Sequence, residues 1–126
     1  NLHGHRYKFV VSISVQGSIE GEGFVDFYDL KKTLRETLDE LFDHKTVLKD
    51  CRANHKIIDA LVETGSKVLL MPHEPTVEAM VNWLSGKLNS LPGLEGRMVQ
   101  LTVYEAPTNY CTWTLDKGCQ CKEAHA

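Results

Sequence analysis

Apolar and polar residues alternate along residues 7–16, which is the pattern of a strand with one face on a core. One face carries Tyr7, Phe9, Val11, Ile13 and Val15. The opposite face carries Lys8, Ser12, Ser14 and Gln16. Glycines at positions 17, 21 and 23 follow and predict that the strand ends in a turn.

Two later segments have apolar residues at helical spacing. Asp26 is placed to cap a first helix that runs to about Leu41, and Thr76 is placed to cap a second helix that Pro92 and Gly93 end. The first apolar stripe is Leu30, Leu34, Leu38 and Leu41. The second stripe is Val77, Met80, Val81, Leu84, Leu88 and Leu91. We interpret both stripes as core.

The segment between these helices is less regular. Residues 56–62 and 67–71 flank Glu63-Thr64-Gly65-Ser66 and predict a β-hairpin, with a short helix over its first half as the alternative. Cys51, His55 and His73 lie around this segment, and we interpret them as incidental loop residues.

Two strands are predicted near the C-terminal end. In the first, Glu105 continues the apolar face of Val99, Leu101 and Val103. A carboxylate in that register is expected to be partly buried and to need a partner. After a turn at residues 107–109, the second strand places Cys111, Trp113 and Leu115 on one face.

Composition is that of an ordinary soluble protein, with 42% hydrophobic and 25% charged residues in a chain of 126. We expect one domain. The net charge of −3 does not favour nucleic acid as a partner, and no apolar run is long enough for a membrane span. The chain starts at Asn1 rather than at methionine, so we expect that sequence precedes it.

Four cysteines are present. Since the sequence has no secretion signal, they are predicted to be reduced thiols in a cytoplasmic protein. Cys119 and Cys121 with His125 could form a soft-metal cluster. Their spacing matches no standard zinc pattern and the tail is polar, so a disordered end is the preferred interpretation.

Two histidine-containing motifs carry candidate chemistry. His3 and His5 are two apart on an extended strand, which sends both imidazoles to one face and supplies two ligands of a three-histidine zinc site. A surface pair at an irregular terminus is the alternative that the motif alone leaves open. Asp43 and His44 are adjacent at a helix end. If their side chains meet, Asp43 would fix the tautomer of His44 for proton transfer.

In this order the motifs resemble the 6-pyruvoyl-tetrahydropterin synthase and 6-carboxy-tetrahydropterin synthase family. The resemblance is carried by residues 3–7 (HGHRY), residues 23–27 (GFVDF) with Leu30-Lys31, Asp43-His44, residues 75–78 (PTVE), and Glu105. It implies an α+β tunnelling fold (T-fold), in which an antiparallel four-stranded sheet packs on two antiparallel helices. It also implies a homo-oligomer, in which trimers close the sheets into a barrel, usually pair into hexamers, and hold active sites between subunits.

The resemblance implies roles for individual residues. Asp43 and His44 would be the catalytic pair. Glu105 would anchor the amino-pyrimidine edge of a pterin, where a carboxylate can accept two parallel N–H bonds. Thr76 and Glu78 would belong to a loop from the neighbouring subunit that completes the pterin pocket.

The resemblance also implies that His3 and His5 are two of three Zn²⁺ ligands. The third histidine and a cysteine of the family precede the HGH motif, so both would fall ahead of Asn1. We therefore expect a single domain over residues 1–126 that lacks its N-terminal strand in this sequence. The segment 47–73 is longer than in compact family members, and we expect it to alter the pocket rim or an oligomer contact.

The function implied is zinc-dependent conversion of 7,8-dihydroneopterin triphosphate to 6-carboxy-5,6,7,8-tetrahydropterin, on the 7-deazaguanine (queuosine) route. The alternative within the family is triphosphate elimination to 6-pyruvoyl-tetrahydropterin. An alternative of another class is a non-catalytic pterin- or purine-binding homo-oligomer that keeps Glu105. An aldolase acting on dihydroneopterin fits less well, because such enzymes do not need the HGH metal pair.

Overall fold

A computed structural model describes residues 4–14 and 27–122. The elements are β1 (Lys8–Ile13), α1 (Phe27–Phe42), β2 (Thr46–Lys49), α2 (His55–Glu63), β3 (Val68–Met71), α3 (Val77–Asn89), β4 (Met98–Ala106), β5 (Asn109–Thr114) and β6 (Gly118–Lys122). A short 3₁₀ helix, Arg52–Asn54, precedes α2. The chain divides into two compact units: the first contains β1, α3 and β4–β6, and the second contains α1, β2, α2 and β3.

The first unit is built on a four-stranded antiparallel sheet with strand order β1-β4-β5-β6. This confirms the predicted antiparallel sheet. Helix α3 contacts β4, β5 and β6. The core of the unit consists of side chains with no exposed surface, namely Met80, Val81, Leu84, Leu88, Leu94, Met98, Leu101, Val103 and Cys111.

Helix α3 begins where the sequence predicts. Thr76 is its N-cap, with extended backbone, and its hydroxyl oxygen accepts a hydrogen bond from the Ala79 N–H at 3.1 Å. The predicted stripe is buried from Val77 to Leu88. In the second unit, α1 buries Leu30 and Leu34 as expected. The predicted cap of α1, Asp26, lies outside the described residues.

The hairpin predicted over residues 56–71 is wrong. Its first half is helix α2, which confirms the alternative of a short helix there. Strand β3 pairs in parallel with β2, a strand that the sequence did not predict. Gly65, at φ +84°, follows the helix C-cap. The N–H groups of Gly65 and Ser66 donate to the carbonyls of Val62 and Leu61, which is the Schellman arrangement. The glycine therefore ends a helix instead of forming a hairpin turn.

The prediction of a disordered C-terminal end is also wrong for residues 118–122, which form β6 next to β5. Gly118, at φ +69°, turns the chain back after β5, and the Thr114 hydroxyl accepts the Lys117 N–H at 3.2 Å in the same turn. Backbone pairing with β5 thus orders a segment that lacks an apolar pattern. His125 lies outside the described residues.

The same pairing corrects the interpretation of the cysteines. Cys111 on β5 is disulfide-bonded, so the prediction of four reduced thiols is wrong for this residue. Its register partner on β6 is Cys121, and the Cys119 Sγ lies 3.1 Å from the Cys111 Sγ. The spacing along the sequence could not reveal this grouping, because Cys111 comes from a different strand.

Among the described residues, the structure contains no helix both long and apolar enough to cross a bilayer.

Candidate functional site

The end of β4 carries an irregularity that sets the position of Glu105. Tyr104 pairs with Tyr110, but the next register pair joins Ala106 to Asn109, which leaves Glu105 without a partner across the ladder. This is a β-bulge, an extra residue that bends a strand and redirects its side chain. The turn that closes the hairpin has only two residues, so the bulge lies at the tip of the sheet.

The Glu105 carboxylate has a separate partner for each oxygen. Oε1 lies 3.0 Å from Nε2 of His5, and Oε2 accepts a hydrogen bond of 2.7 Å from Nδ2 of Asn109. The Glu105 side chain is 24% exposed. His5 reaches this position because β1 pairs with β4, with Lys8 opposite Tyr104. The structure thus agrees with the expectation that Glu105 is partly buried and partnered.

Tyr7 is the third residue near Glu105 whose properties depend on the carboxylate. Its ring meets the His5 ring edge-on, with 5.9 Å between the ring centroids. Burial raises the pKa of the Tyr7 phenol, and the negative charge of Glu105 raises it further. Tyr7 therefore keeps its proton at neutral pH and can act as a hydrogen-bond donor beside the carboxylate.

The predicted zinc site can be tested only in part against these residues. His3 lies outside the described residues. The carboxylate beside His5 suits a metal ligand, because ligating histidines commonly hold a carboxylate at their other ring nitrogen. No group of three or more His, Cys, Asp or Glu side chains in the described part of the chain could hold a metal ion. These residues therefore do not complete a zinc site, and zinc binding by His3 and His5 stays a prediction.

Asp43 and His44 lie at the C-terminal end of α1. His44 adopts the left-handed backbone conformation, at φ 56°, which ends the helix. Its Nε2 is 3.7 Å from Asp43 Oδ1, beyond hydrogen-bonding distance, and the two side chains are 89% and 64% exposed. The predicted pair is therefore adjacent in space but is not locked into one geometry.

The pair borders an open depression of about 620 Å³ in the second unit. Its lining residues are Asp39, Glu40, Asp43, His44, Lys45, Lys67 and Val68. Lys67 joins the depression because its carbonyl accepts the Thr46 N–H where β2 and β3 begin their parallel pairing. The sequence did not indicate a role for Lys45 or Lys67, because the parallel pairing of β2 with β3 was not predicted.

Thr76 and Glu78 lie in the same unit as Glu105, at the start of α3. The Thr76 oxygen serves as the N-cap acceptor. Glu78 is exposed in the first helical turn. Burial raises the pKa of the Cys119 thiol on β6, and the charge of Glu78 raises it further. Their predicted role in a pterin pocket involves a neighbouring subunit, so it stays a prediction.

Asn109 is the residue of this site that sequence reasoning missed. The sequence predicts Asn109 only as part of the turn at residues 107–109, and turn chemistry explains an asparagine there without a further role. Only the tertiary contact with Glu105 distinguishes it from an ordinary turn residue.

Comparisons with known proteins agree with the resemblance seen in the sequence. A family model described as 6-pyruvoyl tetrahydropterin synthase matches residues 1–116. The 6-carboxy-5,6,7,8-tetrahydropterin synthase of Haemophilus influenzae is 28% identical over 119 residues, which cover 90% of this chain and 82% of that protein. Proteins of the same name from Rickettsia felis and Rickettsia bellii are 28% identical over 110 residues and 33% identical over 89 residues. These alignments cover 84% and 69% of this chain and 78% and 62% of the relatives. No solved structure matches the chain significantly.

Proposed function

The chain belongs to the 6-pyruvoyl tetrahydropterin synthase family, lyases that act on a reduced pterin, and we propose that it converts 7,8-dihydroneopterin triphosphate to 6-carboxy-5,6,7,8-tetrahydropterin. The choice of product follows the names of the relatives that align over most of the chain. The observation that carries the assignment to a pterin is the partnered carboxylate of Glu105 at the bulge.

The hydrogen-bonding capacity of Glu105 supports this role. Each carboxylate oxygen can accept about two hydrogen bonds. His5 and Asn109 occupy one position on each oxygen. One position on each oxygen is then left, which is what the two parallel N–H groups of an amino-pyrimidine edge require.

Asp43 and His44 are proposed as the proton-transfer pair. Their separation of 3.7 Å has to shorten for Asp43 to orient the imidazole. Catalytic hydrogen bonds often tighten only when substrate is bound. His44 would then move a proton between carbon and oxygen atoms of the pterin side chain.

We propose His3 and His5 as ligands of a zinc ion, together with a donor that the described residues do not supply. When bound, zinc would polarise the hydroxyl groups of the substrate side chain and lower their pKa. The contact between His5 and Glu105 supports this assignment, because it holds the imidazole ring in one orientation.

A homo-oligomer, trimeric or hexameric, is proposed for the assembled enzyme. Among the described residues, β1 and β6 are the edge strands of the four-stranded sheet. Edge strands of this kind offer backbone groups to a second copy of the chain. In such an assembly Thr76 and Glu78 would complete the pterin pocket of a neighbour.

Two other functions remain as candidates. Elimination of triphosphate to give 6-pyruvoyl-tetrahydropterin would use the same anchor and the same proton-transfer pair. A non-catalytic pterin-binding homo-oligomer is favoured by one observation, the high exposure of Asp43 and His44 without a hydrogen bond between them.

Product analysis separates these functions. The purified full-length protein, supplied with zinc and 7,8-dihydroneopterin triphosphate, is expected to yield a product with the mass of 6-carboxy-5,6,7,8-tetrahydropterin. A product with the mass of the 6-pyruvoyl compound would establish the alternative reaction. Pterin binding without turnover, in protein with bound zinc, would favour the non-catalytic binder. The matched control is Glu105→Gln, which keeps the size of the side chain but lacks its charge.

A further inference from the structure

Asn109 is in direct contact with the proposed pterin anchor, through the 2.7 Å hydrogen bond from its Nδ2 to Oε2 of Glu105. We infer that Asn109 is a positioning residue, which holds the Glu105 carboxylate in the orientation that accepts the N–H groups of a pterin. This inference rests on the proposed function and deepens it, because it names a residue that determines substrate binding through Glu105.

The backbone around both residues is set by the hairpin. Ala106 and Asn109 form the last register pair before the two-residue turn, so Asn109 is fixed at the start of β5. Glu105 is the extra residue of the bulge immediately before that pair. A bulge aims its side chain away from the regular alternation of a strand. The side-chain bond from Asn109 then determines where the redirected carboxylate comes to rest.

The chemistry of the amide suits this task. An asparagine donates N–H groups but carries no charge. It can therefore hold Oε2 without neutralising the negative charge that strengthens hydrogen bonds from a pterin. A lysine or arginine in the same place would form an ion pair with the carboxylate and compete with the substrate.

The two partners of Glu105 act on different oxygens. His5 lies at Oε1 and Asn109 at Oε2, so rotation of the carboxylate would break both contacts. The last torsion of a glutamate side chain otherwise has a broad distribution. Fixing it before the substrate arrives reduces the entropy lost on binding, which is the usual benefit of preorganisation.

The first test is pterin affinity. For Asn109→Ala we expect the Kd of pterin and the KM for 7,8-dihydroneopterin triphosphate to rise about tenfold. This corresponds to a loss of about 1.4 kcal/mol of binding free energy. The fluorescence of pterin gives the Kd. We expect kcat to change much less. Asn109→Asp should weaken binding about a hundredfold, roughly 2.8 kcal/mol, because it replaces the donor by a second carboxylate facing Glu105. Asn82→Asp, the same chemical change at an exposed position on α3, is the matched control.

A double-mutant cycle tests whether Asn109 acts through Glu105. If it does, pterin should bind to the Glu105→Gln/Asn109→Ala double variant about as weakly as to Glu105→Gln alone. Penalties that simply add would contradict the inference. A Kd unchanged in Asn109→Ala, measured on protein with wild-type thermal stability, would also overturn it.

The same measurements distinguish the inference from the proposed function. If Glu105→Gln loses pterin binding but Asn109→Ala does not, only the positioning role fails. If wild-type protein and Glu105→Gln bind pterin equally, the proposed anchor fails and the positioning role fails with it. A readout without ligand is the NMR signal of the Asn109 side-chain amide, which should shift in Glu105→Gln. An unchanged signal would contradict the hydrogen bond on which the inference rests.

Discussion

The Glu105 carboxylate lies 3.0 Å from Nε2 of His5, so the proposed pterin anchor and a proposed zinc ligand are direct neighbours. The two residues are a hundred positions apart in the chain, and the pairing of β1 with β4 brings them together. A ligand that binds at one residue is therefore expected to change the electrostatic environment of the other. Metal binding and pterin binding are expected to be coupled through this contact.

Metal content tests the proposed ligands. Full-length protein purified with zinc is expected to contain about one zinc per subunit, and the double variant His3→Ala/His5→Ala to contain little or none, because two of three imidazole donors are lost. Elemental analysis measures this. His73→Ala removes an exposed histidine outside the motif and should leave the zinc content unchanged. Zinc retained by the double variant would show that the metal, if present, binds elsewhere.

Substitution of Asp43 should affect catalysis and not stability. Asp43→Asn is expected to lower kcat about 10²-fold or more, since the general acid–base contribution of such a pair is of that order. Stability should change by less than about 0.5 kcal/mol, because the side chain is 64% exposed. Steady-state kinetics and thermal unfolding measure the two effects. Asp39→Asn, in the same depression, is the control, and equal losses in both variants would argue against a specific role for Asp43.

The Cys119 thiol should react slowly at neutral pH. Burial raises its pKa, and the charge of Glu78 raises it further, so less of the nucleophilic thiolate is present at a given pH. The rate of alkylation at Cys119, measured by mass spectrometry of its peptide, should reach half its maximum above the pH typical of a free thiol. Glu78→Gln should move that midpoint to lower pH, since it removes one of the two causes.

The control for this prediction is a second substitution at the same residue. Glu78→Asp keeps the negative charge and should leave the midpoint nearly in place. If Glu78→Gln and Glu78→Asp shift the midpoint equally, the effect comes from altered packing and not from charge.

Loss of the helix cap should destabilise the first unit. Thr76→Ala removes the oxygen that accepts the Ala79 N–H, which is expected to cost about 1 kcal/mol of unfolding free energy. Thr76→Ser keeps a hydroxyl and should retain most of the stability. Denaturant unfolding compares the two variants. A KM raised in Thr76→Ser despite normal stability would support the proposed contact of Thr76 with a pterin, and equal stability of both variants would contradict the capping role.

The local sequence pattern was sufficient to predict an element where the residues of that element alone determine its structure. The alternation in β1, the first two leucines of the α1 stripe and the cap of α3 all appear in the structure as predicted, because each depends on neighbours within a few residues. The sequence also predicted that Glu105 is partly buried and needs a partner, and the structure confirms both. The motifs in their order along the chain predicted membership of a pterin synthase family, and the match to the family model agrees with that prediction.

Short segments with weak patterns could not be assigned in this way. The apolar run of α2 is too short for its period to distinguish a helix from a strand. The Schellman hydrogen bonds around Gly65 end the helix, and the parallel pairing of β3 with β2 excludes the predicted hairpin. β6 has no apolar pattern, and its order comes from the ladder with β5. In both cases the stabilising groups lie on another element.

The sequence by itself determined the type of most elements, the family and the candidate residues, since these depend on spacing and residue chemistry. Only the tertiary structure decided which of those residues meet. It placed His5 and Asn109 on the two oxygens of Glu105, and it left Asp43 and His44 exposed at the end of α1. The physical reason is that the register of β1 against β4 and the bulge in β4 determine which side chains meet across strands. Neither feature can be predicted from the residue pattern of a single strand.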